Sequence, residues 1–345
     1  MKIPIKNIYY LLCYAWDCLA EKELVAVNSD DYHTLLDLFA KVLLNGCINL
    51  IKQGLDRNYL TESDTLTGIR GKIDIGVSIK KNLFITGRLY CHYDEFHQNI
   101  LHNKIIKSIL MQLLKTENLN QKLHNEIRSL SPKFDQIDII QLTSKEFDIA
   151  QLQLHRNNWR YRFLLNVCRL IWENSLINEE TGKYSFYSVA ESDQKMGHLF
   201  ETFIHNFYYI EQKQFVVKRD YINWNVIPIG DSSTDILPRM ETDVSLQSQD
   251  KKIIIETKFY NDIFLKNKGV EKLRSNHMYQ LFAYLSNIAS RGGLNKQCEG
   301  ILLYAETDKK IASSFQLGNH KLTIQSINLN QDWRAVHQDL LKIIE

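Results

Sequence analysis

Three consecutive isoleucines, at positions 253–255, run directly into Glu256-Thr257-Lys258. A short run of β-branched apolar residues is typical of a strand that is covered on both faces. Side chains alternate between the two faces of a strand, so Glu256 and Lys258 share one face and Thr257 lies on the other. The run therefore predicts a buried strand in a covered sheet, with two charged groups side by side where the strand ends.

A second acidic group precedes this strand, in the segment 237–244 with the sequence LPRMETDV. Residues 240–246 are a strand candidate, and a turn at 249–250 would pair them with the isoleucine strand in an antiparallel hairpin. In that register Asp243 faces Glu256, with their Cβ atoms about 5 Å apart. Two carboxylates at this distance repel each other unless a cation lies between them, and oxygen ligands favour Mg²⁺ over zinc. Asp243 and Glu256 are therefore candidate metal ligands.

Lys258 has two interpretations. Beside a bound metal ion, its ammonium group can bind a scissile phosphate, or orient and help to deprotonate an attacking water. Without a metal ion, the Glu-x-Lys triplet is an ordinary salt bridge at the end of a strand. The first interpretation makes Asp243, Glu256 and Lys258 a catalytic set for phosphodiester hydrolysis, and the second makes the triplet structural.

Three further side chains are candidates for supporting roles. Gln280 and Tyr284 stand four positions apart in a predicted helix, so they project from one face and could steady a phosphate or the lysine. Glu201, in an earlier predicted helix, is a third acid that could approach the metal ion from the helix side. Each of the three also has a structural interpretation, as a packed or solvated helix residue.

Hydrophobic periodicity predicts mixed structure in the first part of the chain. Apolar residues at three- and four-residue steps predict a long helix within residues 30–55, and alternation between glycines predicts short strands within 67–93, including 83–86. Helical spacing returns over 101–114 and 159–172, with a polar, proline-containing connection between them. We expect a mixed α/β domain with a small β-sheet or barrel.

The second part begins after a polar stretch at residues 185–194. Its pattern predicts helices at residues 197–209, 276–288 and 332–344. It predicts strands at residues 215–226, 240–246, 252–259, 300–304 and 322–329. This order indicates a second α/β domain whose sheet is flanked by helices, and we place the domains at residues 1–187 and 188–345.

Composition excludes several classes of protein. The 345 residues include 42 basic and 40 acidic side chains, so the net charge of +2 does not indicate a protein that coats nucleic acid. Six scattered cysteines without a Cys-x-x-Cys pair are expected of reduced thiols in the cytoplasm. The apolar run at 8–16 is interrupted by Asp17 and predicts a buried helix, not a signal peptide. We expect a cytoplasmic chain that does not contact a membrane.

The order of Glu201, Asp243, Glu256-Thr257-Lys258 and Gln280-x-x-x-Tyr284 resembles the PD-(D/E)xK nuclease superfamily, and is similar to its RecB-like members. Over nearly its full length the chain also resembles the McrC family, the nuclease subunit of the McrBC modified-cytosine restriction system. Four segments carry this resemblance: residues 3–16 with IPIKNIYY and YAW, 68–73 with GIRGKI, 103–108 with NKIIKS, and 237–244.

The resemblance implies a fold, a partner and an activity. The fold would be α+β overall, with a C-terminal restriction-endonuclease-like domain built on a central mixed sheet. The N-terminal domain would dock into a hexameric McrB-like GTPase ring and stimulate its GTP hydrolysis. The activity would be Mg²⁺-dependent cleavage of DNA containing modified cytosine, delivered by the partner, with Asp243, Glu256 and Lys258 as catalytic residues. The chain has no G-x-x-x-x-G-K-[ST] loop, so GTP binding is expected of the partner.

Two other functions stay open at the level of sequence. One is a non-nucleolytic regulatory subunit that activates the partner GTPase. The other is a stand-alone RecB-like DNA repair nuclease. The clustered acidic groups argue against the first, because a purely structural role gives no reason to place like charges together. Cleavage without any partner would favour the second.

Overall fold

The structure is a computed structural model that describes residues 3–17, 34–155, 158, 160–177, 181, 183–187, 192–260, 263–267, 270–306 and 309–345. The chain divides into two compact units, one formed by Met1–Asp31 with Ser188–Glu345 and the other by Tyr32–Tyr187. In these units the described residues 3–17 group with the C-terminal part, whereas the predicted domains, 1–187 and 188–345, assign them to the first domain. Residues 188–191, at the predicted boundary, lie outside the described residues.

The helices are long enough to supply most of the packing surfaces. They are α1 (Ile5–Ala15), α2 (Leu35–Gln53), α3 (Ile75–Lys80), α4 (Leu101–Leu113), α5 (Gln121–Leu130), α6 (Ser144–Leu152), α7 (Arg160–Glu173), α8 (Asp193–Glu211), α9 (Ser275–Ile288) and α10 (Trp333–Lys342). No described helix combines the length and the apolar character that crossing a membrane requires.

The strands are mostly short. They are β1 (Asn58–Leu66), β2 (Lys72–Ile73), β3 (Leu89–His97), β4 (Ser175–Ile177), β5 (Tyr184–Phe186), β6 (Val216–Lys218), β7 (Tyr221–Ile222), β8 (Met240–Glu241), β9 (Val244–Gln247), β10 (Lys252–Lys258), β11 (Phe264–Asn267), β12 (Val270–Leu273), β13 (Glu299–Ala305), β14 (Ala312–Leu317) and β15 (His320–Ile327).

In the unit Tyr32–Tyr187, a three-stranded antiparallel sheet in the order β1-β3-β2 confirms the expected small sheet. The predicted strand at 83–86 is wrong, because these residues form one turn of 3₁₀ helix. Asn82 and Gly87, on either side of it, have positive φ angles of 51° and 66°, so the extended backbone that a strand requires is interrupted at both ends.

The connection between α4 and α7 is not the simple polar loop that the sequence pattern indicated. It contains α5 and α6. The Asn120 side chain accepts from Lys122 N and caps α5, and Thr143 with Glu146 forms a capping box at the start of α6. Apolar residues at positions 123, 127 and 130 of α5 and at 147 and 150 of α6 also follow helical spacing, so both helices carry a periodic signal that the sequence predictions missed.

In the other unit, a six-stranded mixed sheet has the order β14-β15-β13-β10-β9-β6. The strands β10, β13 and β15 run parallel to one another, while β9 pairs with β10 and β14 pairs with β15 in the antiparallel direction. Lys252 pairs with Gln247 and Ile255 with Val244, which confirms the register expected for the predicted hairpin. The ladder between β9 and β10 therefore ends one residue before Glu256, and Asp243 lies one residue beyond its last pair on β9.

The two faces of this sheet are covered by different helices. On one face, Ile254 of β10 belongs to a buried cluster with Leu281 and Leu285 of α9. On the α8 side, Phe200 packs against Phe259 just after β10, with ring centroids 6.1 Å apart. Glu256 and Lys258 lie two and four residues after Ile254, so their side chains are on the same face of β10 and face α9.

A close contact sets the distance between α9 and the sheet. Gly300 of β13 pairs with Ile254, and a Cβ atom at Gly300 would lie only 2.8 Å from Leu285 Cδ1. The absence of a side chain lets the helix backbone approach the sheet. The polar residues of α9 are thereby brought within reach of the end of β10.

The first helix packs in the same unit. Tyr14 of α1 contacts Phe203 of α8 with ring centroids 5.5 Å apart, and Asn206 donates to the Tyr14 carbonyl oxygen at 2.9 Å. Asn7 donates to the Leu329 carbonyl oxygen at 2.8 Å. These contacts confirm a buried helix in the apolar run at residues 8–16.

Six described strands, β1, β4, β5, β11, β12 and β14, have no counterpart in the sequence predictions. The strand β14 is exposed along most of its length and pairs only with β15 at the edge of the sheet. Polar edge strands lack the apolar alternation that marks half-buried strands, so pattern analysis does not find them.

Candidate active site

Asp243 lies at the bend between β8 and β9, where the ladder with β10 has ended. Its Oδ2 atom accepts two hydrogen bonds from Thr257, one from the backbone N at 2.8 Å and one from Oγ1 at 2.6 Å. Burial raises the pKa of Asp243 and the charge of Glu201 adds to this, while the Thr257 hydrogen bonds oppose it. The carboxylate is therefore fixed in direction but disfavoured as an isolated charge.

Glu256 is almost completely buried, with 1% of its surface exposed. Burial, reinforced by the charge of Asp243, raises the pKa of Glu256 to about 8, although Lys258 acts in the opposite direction. Its Oε1 atom accepts from Lys258 Nζ at 2.8 Å. Its Oε2 atom is buried and has no hydrogen-bond partner among the residues that the structure describes. A buried carboxylate oxygen left in this condition is costly unless a cation or a proton binds it.

Gln280 and Tyr284 of α9 form a chain of hydrogen bonds that ends on Lys258. Gln280 Oε1 accepts from Lys258 Nζ at 3.0 Å, and Gln280 Nε2 donates to the Tyr284 hydroxyl at 3.0 Å. That hydroxyl donates to the carbonyl oxygen of Glu241 at 3.0 Å. The structure thus places all three predicted residues in one network, with the amide of Gln280 oriented by Tyr284.

Glu201 of α8 is less directly involved. It pairs with Arg219, and His198 Nδ1 lies 3.9 Å from its Oε2 atom. Its charge contributes to raising the pKa values of Asp243 and Glu256, so it lies within electrostatic range of both. The structure places Glu201 beside the site, engaged with a cation of its own.

The donor set fits a hard divalent cation held by two carboxylates. No group of three or more His, Cys, Asp and Glu side chains forms a metal cage in the described part of the chain. Mg²⁺ commonly uses one or two protein carboxylates, with waters and substrate phosphates in its other positions. The free Oε2 atom of Glu256 leaves a position for a cation, and burial raises the pKa values of Asp243 and Glu256 because their charges are uncompensated without one.

One residue of the site was not predicted to take part. Thr257 was expected only to point away from Glu256 and Lys258, but both its backbone N and its hydroxyl bind Asp243. The hairpin register places Asp243 beside residue 257 as well as opposite residue 256. A hydroxyl-bearing residue at position 257 was therefore the sequence feature that could have predicted a hydrogen bond to Asp243.

Comparison with known proteins gives this arrangement a family. Residues 5–305 match the family described as McrBC 5-methylcytosine restriction system component. The chain belongs to the McrBC family. The Type IV methyl-directed restriction enzyme EcoKMcrBC of Escherichia coli strain K12 is 33% identical over 343 residues, which cover 99% of this chain and 97% of that protein. The predicted resemblance to McrBC proteins is confirmed.

A solved structure supports the fold of this McrBC-family protein. It is a refined half-complex from a tetradecameric assembly of Thermococcus gammatolerans McrB AAA+ hexamers with bound McrC. The match has a TM-score of 0.62 at 15% identity and covers 99% of this chain and 76% of that chain. The predicted fold class, mixed α and β with a mixed sheet, is confirmed.

Proposed function

We propose that this chain is the Mg²⁺-dependent DNA endonuclease subunit of a GTP-dependent restriction complex that acts on DNA with modified cytosine. One observation carries the proposal. Asp243, Glu256 and Lys258 converge at the end of β10, and one buried oxygen of Glu256 has no partner within the described residues. Lys258 pairs with only one oxygen of Glu256 in the described residues, so this group of two acidic residues and one lysine is suited to binding a cation and an anionic substrate together.

Asp243 and Glu256 would hold the ion. When bound, Mg²⁺ supplies positive charge that polarises a phosphodiester and favours ionisation of a water nucleophile. Thr257 fixes the Asp243 carboxylate through two hydrogen bonds, so its orientation is set before the ion arrives. The folded chain already holds both carboxylates in place, which reduces the entropy lost on binding.

Lys258 would act on the substrate. An ammonium group has three donors, and the described residues use two of them, for Glu256 Oε1 and Gln280 Oε1. The third can donate to a non-bridging phosphate oxygen or to the attacking water, where it stabilises the negative charge that develops in the transition state. Gln280 and Tyr284 hold the ammonium group in a fixed direction during this step.

Partnership with a GTPase ring is supported by the relatives. The Escherichia coli relative is named as a methyl-directed restriction enzyme, and the Thermococcus gammatolerans structure contains McrC bound to McrB AAA+ hexamers. This chain carries no phosphate-binding loop of the G-x-x-x-x-G-K-[ST] type. We therefore assign GTP hydrolysis to an McrB-like hexamer, and its stimulation and the nuclease activity to this chain.

The decisive experiment reconstitutes the complex. We expect this chain, its ring-forming partner, GTP and Mg²⁺ to cleave DNA containing methylated cytosine. Asp243→Ala and Lys258→Ala should each lower the cleavage rate by at least about a hundredfold. Both variants should still assemble with the partner and stimulate its GTP hydrolysis, which shows that the chain is folded.

The same experiment separates the alternatives. Full cleavage by the Asp243→Ala, Lys258→Ala double variant would refute the assigned active site. Stimulation of GTP hydrolysis without any Mg²⁺-dependent cleavage by the wild-type chain would identify a regulatory subunit. Efficient metal-dependent cleavage in the absence of partner and GTP would instead identify a stand-alone nuclease.

A further inference from the structure

The position of Asp243 is not set by strand pairing. The last ladder pair between β9 and β10 is Val244 with Ile255, and Asp243 lies beyond it at a bend. When both groups are ionised, the carboxylates of Asp243 and Glu256 repel each other in the absence of a cation. Thr257 holds the carboxylate, and β8 before the bend pairs with β7, so the remaining support has to act on the backbone of the bend itself.

Thr242 supplies the first part of that support. Its side chain is completely buried, and it is joined to Asp220 by two reciprocal hydrogen bonds. Thr242 N donates to the Asp220 carbonyl oxygen at 3.0 Å, and Asp220 N donates to Thr242 Oγ1 at 2.9 Å. The residue directly before Asp243 is therefore tied on both its backbone and its side chain to one neighbour.

Asp220 is in turn anchored by its carboxylate. Lys252 Nζ lies 2.7 Å from Oδ2, and the side chains of both residues are less than a tenth exposed. Ser245 Oγ donates to the same oxygen at 2.7 Å, and Lys218 Nζ lies 3.2 Å from Oδ1. Breaking such a buried, hydrogen-bonded pair leaves an uncompensated charge, so Asp220 resists displacement.

These contacts give a second connection between Asp243 and the strand that carries Glu256. Lys252 begins β10, and Glu256 lies four residues along the same strand. Asp220 joins the start of this strand to Thr242, and hence to Asp243. We propose that Thr242 and Asp220 are positioning residues that hold Asp243 at its metal-binding distance from Glu256. The inference rests on the proposed function, since it concerns the same metal site.

The positioning of Asp243 should affect the affinity of the site for Mg²⁺. If folding holds the carboxylates together, the binding of Mg²⁺ does not have to supply the free energy of bringing two like charges into place. Variants that remove the hydrogen bonds at the bend should therefore weaken Mg²⁺ binding. Their effect on the cleavage rate should be smaller when Mg²⁺ is saturating. A residue that served only the stability of the fold would not change the Mg²⁺ affinity of the folded protein.

The test is calorimetric titration of the full chain with Mg²⁺ alone, with cleavage by the reconstituted complex measured over a range of Mg²⁺ concentrations. Thr242→Val keeps the shape of the side chain but removes the acceptor for Asp220 N. We expect its Kd for Mg²⁺ to rise about tenfold, with most of the cleavage rate recovered at saturating Mg²⁺. Thr242→Ser keeps the hydroxyl and should stay within about twofold of wild type.

Unchanged Mg²⁺ affinity in a folded Thr242→Val variant would overturn the inference. If that variant does not fold, Ser245→Ala removes one hydrogen bond to Asp220 and should raise the Kd for Mg²⁺ about threefold, and an unchanged value would again overturn it. A wild-type chain that binds no Mg²⁺ would refute the proposed function itself, whereas normal wild-type binding with unaffected variants would refute only the role of Thr242 and Asp220.

Discussion

Glu256 shows how one residue combines burial with charge. It is enclosed by the sheet and α9, its Oε1 atom is paired with Lys258, and Asp243 lies close enough to disfavour a second negative charge. In the metal-free protein the carboxyl group therefore keeps its proton to higher pH than an exposed glutamate does. This property makes the site measurable through stability as well as through cleavage.

The stability of the metal-free protein should depend on Glu256 in a defined pH window. The folded-state pKa of about 8 lies above the ordinary value of 4.5, so within this window the folded chain binds a proton that the unfolded chain has released. The contribution of Glu256 to the free energy of unfolding should therefore be complete at pH 4.5 and below, and should fall as the pH rises from 4.5 to about 8. We expect urea denaturation in EDTA to show this slope, and Glu256→Gln to make it shallower.

Magnesium provides the control for this measurement. Adding Mg²⁺ in place of EDTA near pH 8 should stabilise the wild-type chain, because the ion binds the ionised carboxylates of the folded state only. Mg²⁺ should stabilise the Glu256→Gln variant less than it stabilises the wild-type chain. Identical pH slopes in the two proteins would show that Glu256 titrates normally.

Tyr284 gives a second prediction at the residue scale. Burial raises the pKa of Tyr284 to about 12, so its hydroxyl keeps the proton that it donates to the Glu241 carbonyl oxygen. Tyr284→Phe removes this bond and the acceptor for Gln280 Nε2, which leaves the partner of Lys258 free to turn. We expect cleavage by the reconstituted complex to fall about fivefold, equivalent to about 1 kcal/mol.

Tyr279 is the matched control, since it lies on the same helix and is 69% exposed. Tyr279→Phe should cleave at the wild-type rate. Equal rates for Tyr284→Phe and wild type would mean that the orientation of Gln280 does not matter to Lys258.

At the scale of elements, the site depends on how closely α9 approaches the sheet. Gly300 leaves room for Leu285, and this contact brings Gln280 and Tyr284 over the end of β10. The helix and the strand were both predictable, because each has an apolar pattern of the appropriate period. Their contact was not, since it depends on a glycine in a strand that meets the helix only in the folded chain.

The contact predicts an asymmetry between two glycines. A methyl group at Gly300 would lie 2.8 Å from Leu285 Cδ1, so Gly300→Ala should destabilise the chain by about 1–3 kcal/mol and slow cleavage by moving α9. Gly197 lies in α8 with no atom near the position of an added Cβ, so Gly197→Ala should stabilise the chain by up to about 1 kcal/mol. Urea denaturation measures both. A neutral Gly300→Ala would show that the packing between α9 and the sheet adjusts freely.

For the whole molecule, charge balance bears on how DNA is held. Residues 191–345 contain 19 basic and 19 acidic side chains, so the part of the chain with the candidate active site is formally neutral. Each phosphate contact normally requires a lysine or arginine, and affinity rises with the number of counterions released. A neutral domain around the candidate active site is consistent with a complex in which the partner makes most of the contacts to DNA.

We therefore expect the isolated chain to bind DNA weakly, with a Kd on the order of 10⁻⁴ M or higher at physiological salt. Fluorescence anisotropy with methylated and unmethylated duplexes checks this, and addition of the ring partner with GTP should strengthen binding to the methylated duplex. Tight binding by the isolated chain, with little dependence on salt, would contradict the assignment of DNA binding to the partner.

The sequence by itself determined the local features of this protein. The isoleucine run before Glu256 specified a buried strand, and the short turn after Leu246 specified the register that brings Asp243 towards it, because both follow from side-chain alternation and chain reversal over a few residues. The spacing of Gln280 and Tyr284 specified a shared helix face for the same reason. The identity of the candidate site was therefore contained in short-range patterns.

The tertiary structure decided what those patterns could not express. It placed α1 with the C-terminal unit, linked Gln280 to Lys258, left one oxygen of Glu256 without a partner in the described residues, and tied Asp220 to both Thr242 and Lys252. Each of these depends on groups that are far apart along the chain. Their contact and their burial arise only when the sheet and its helices pack together, and burial is what turns ordinary side chains into groups with altered pKa values and unmet hydrogen bonds.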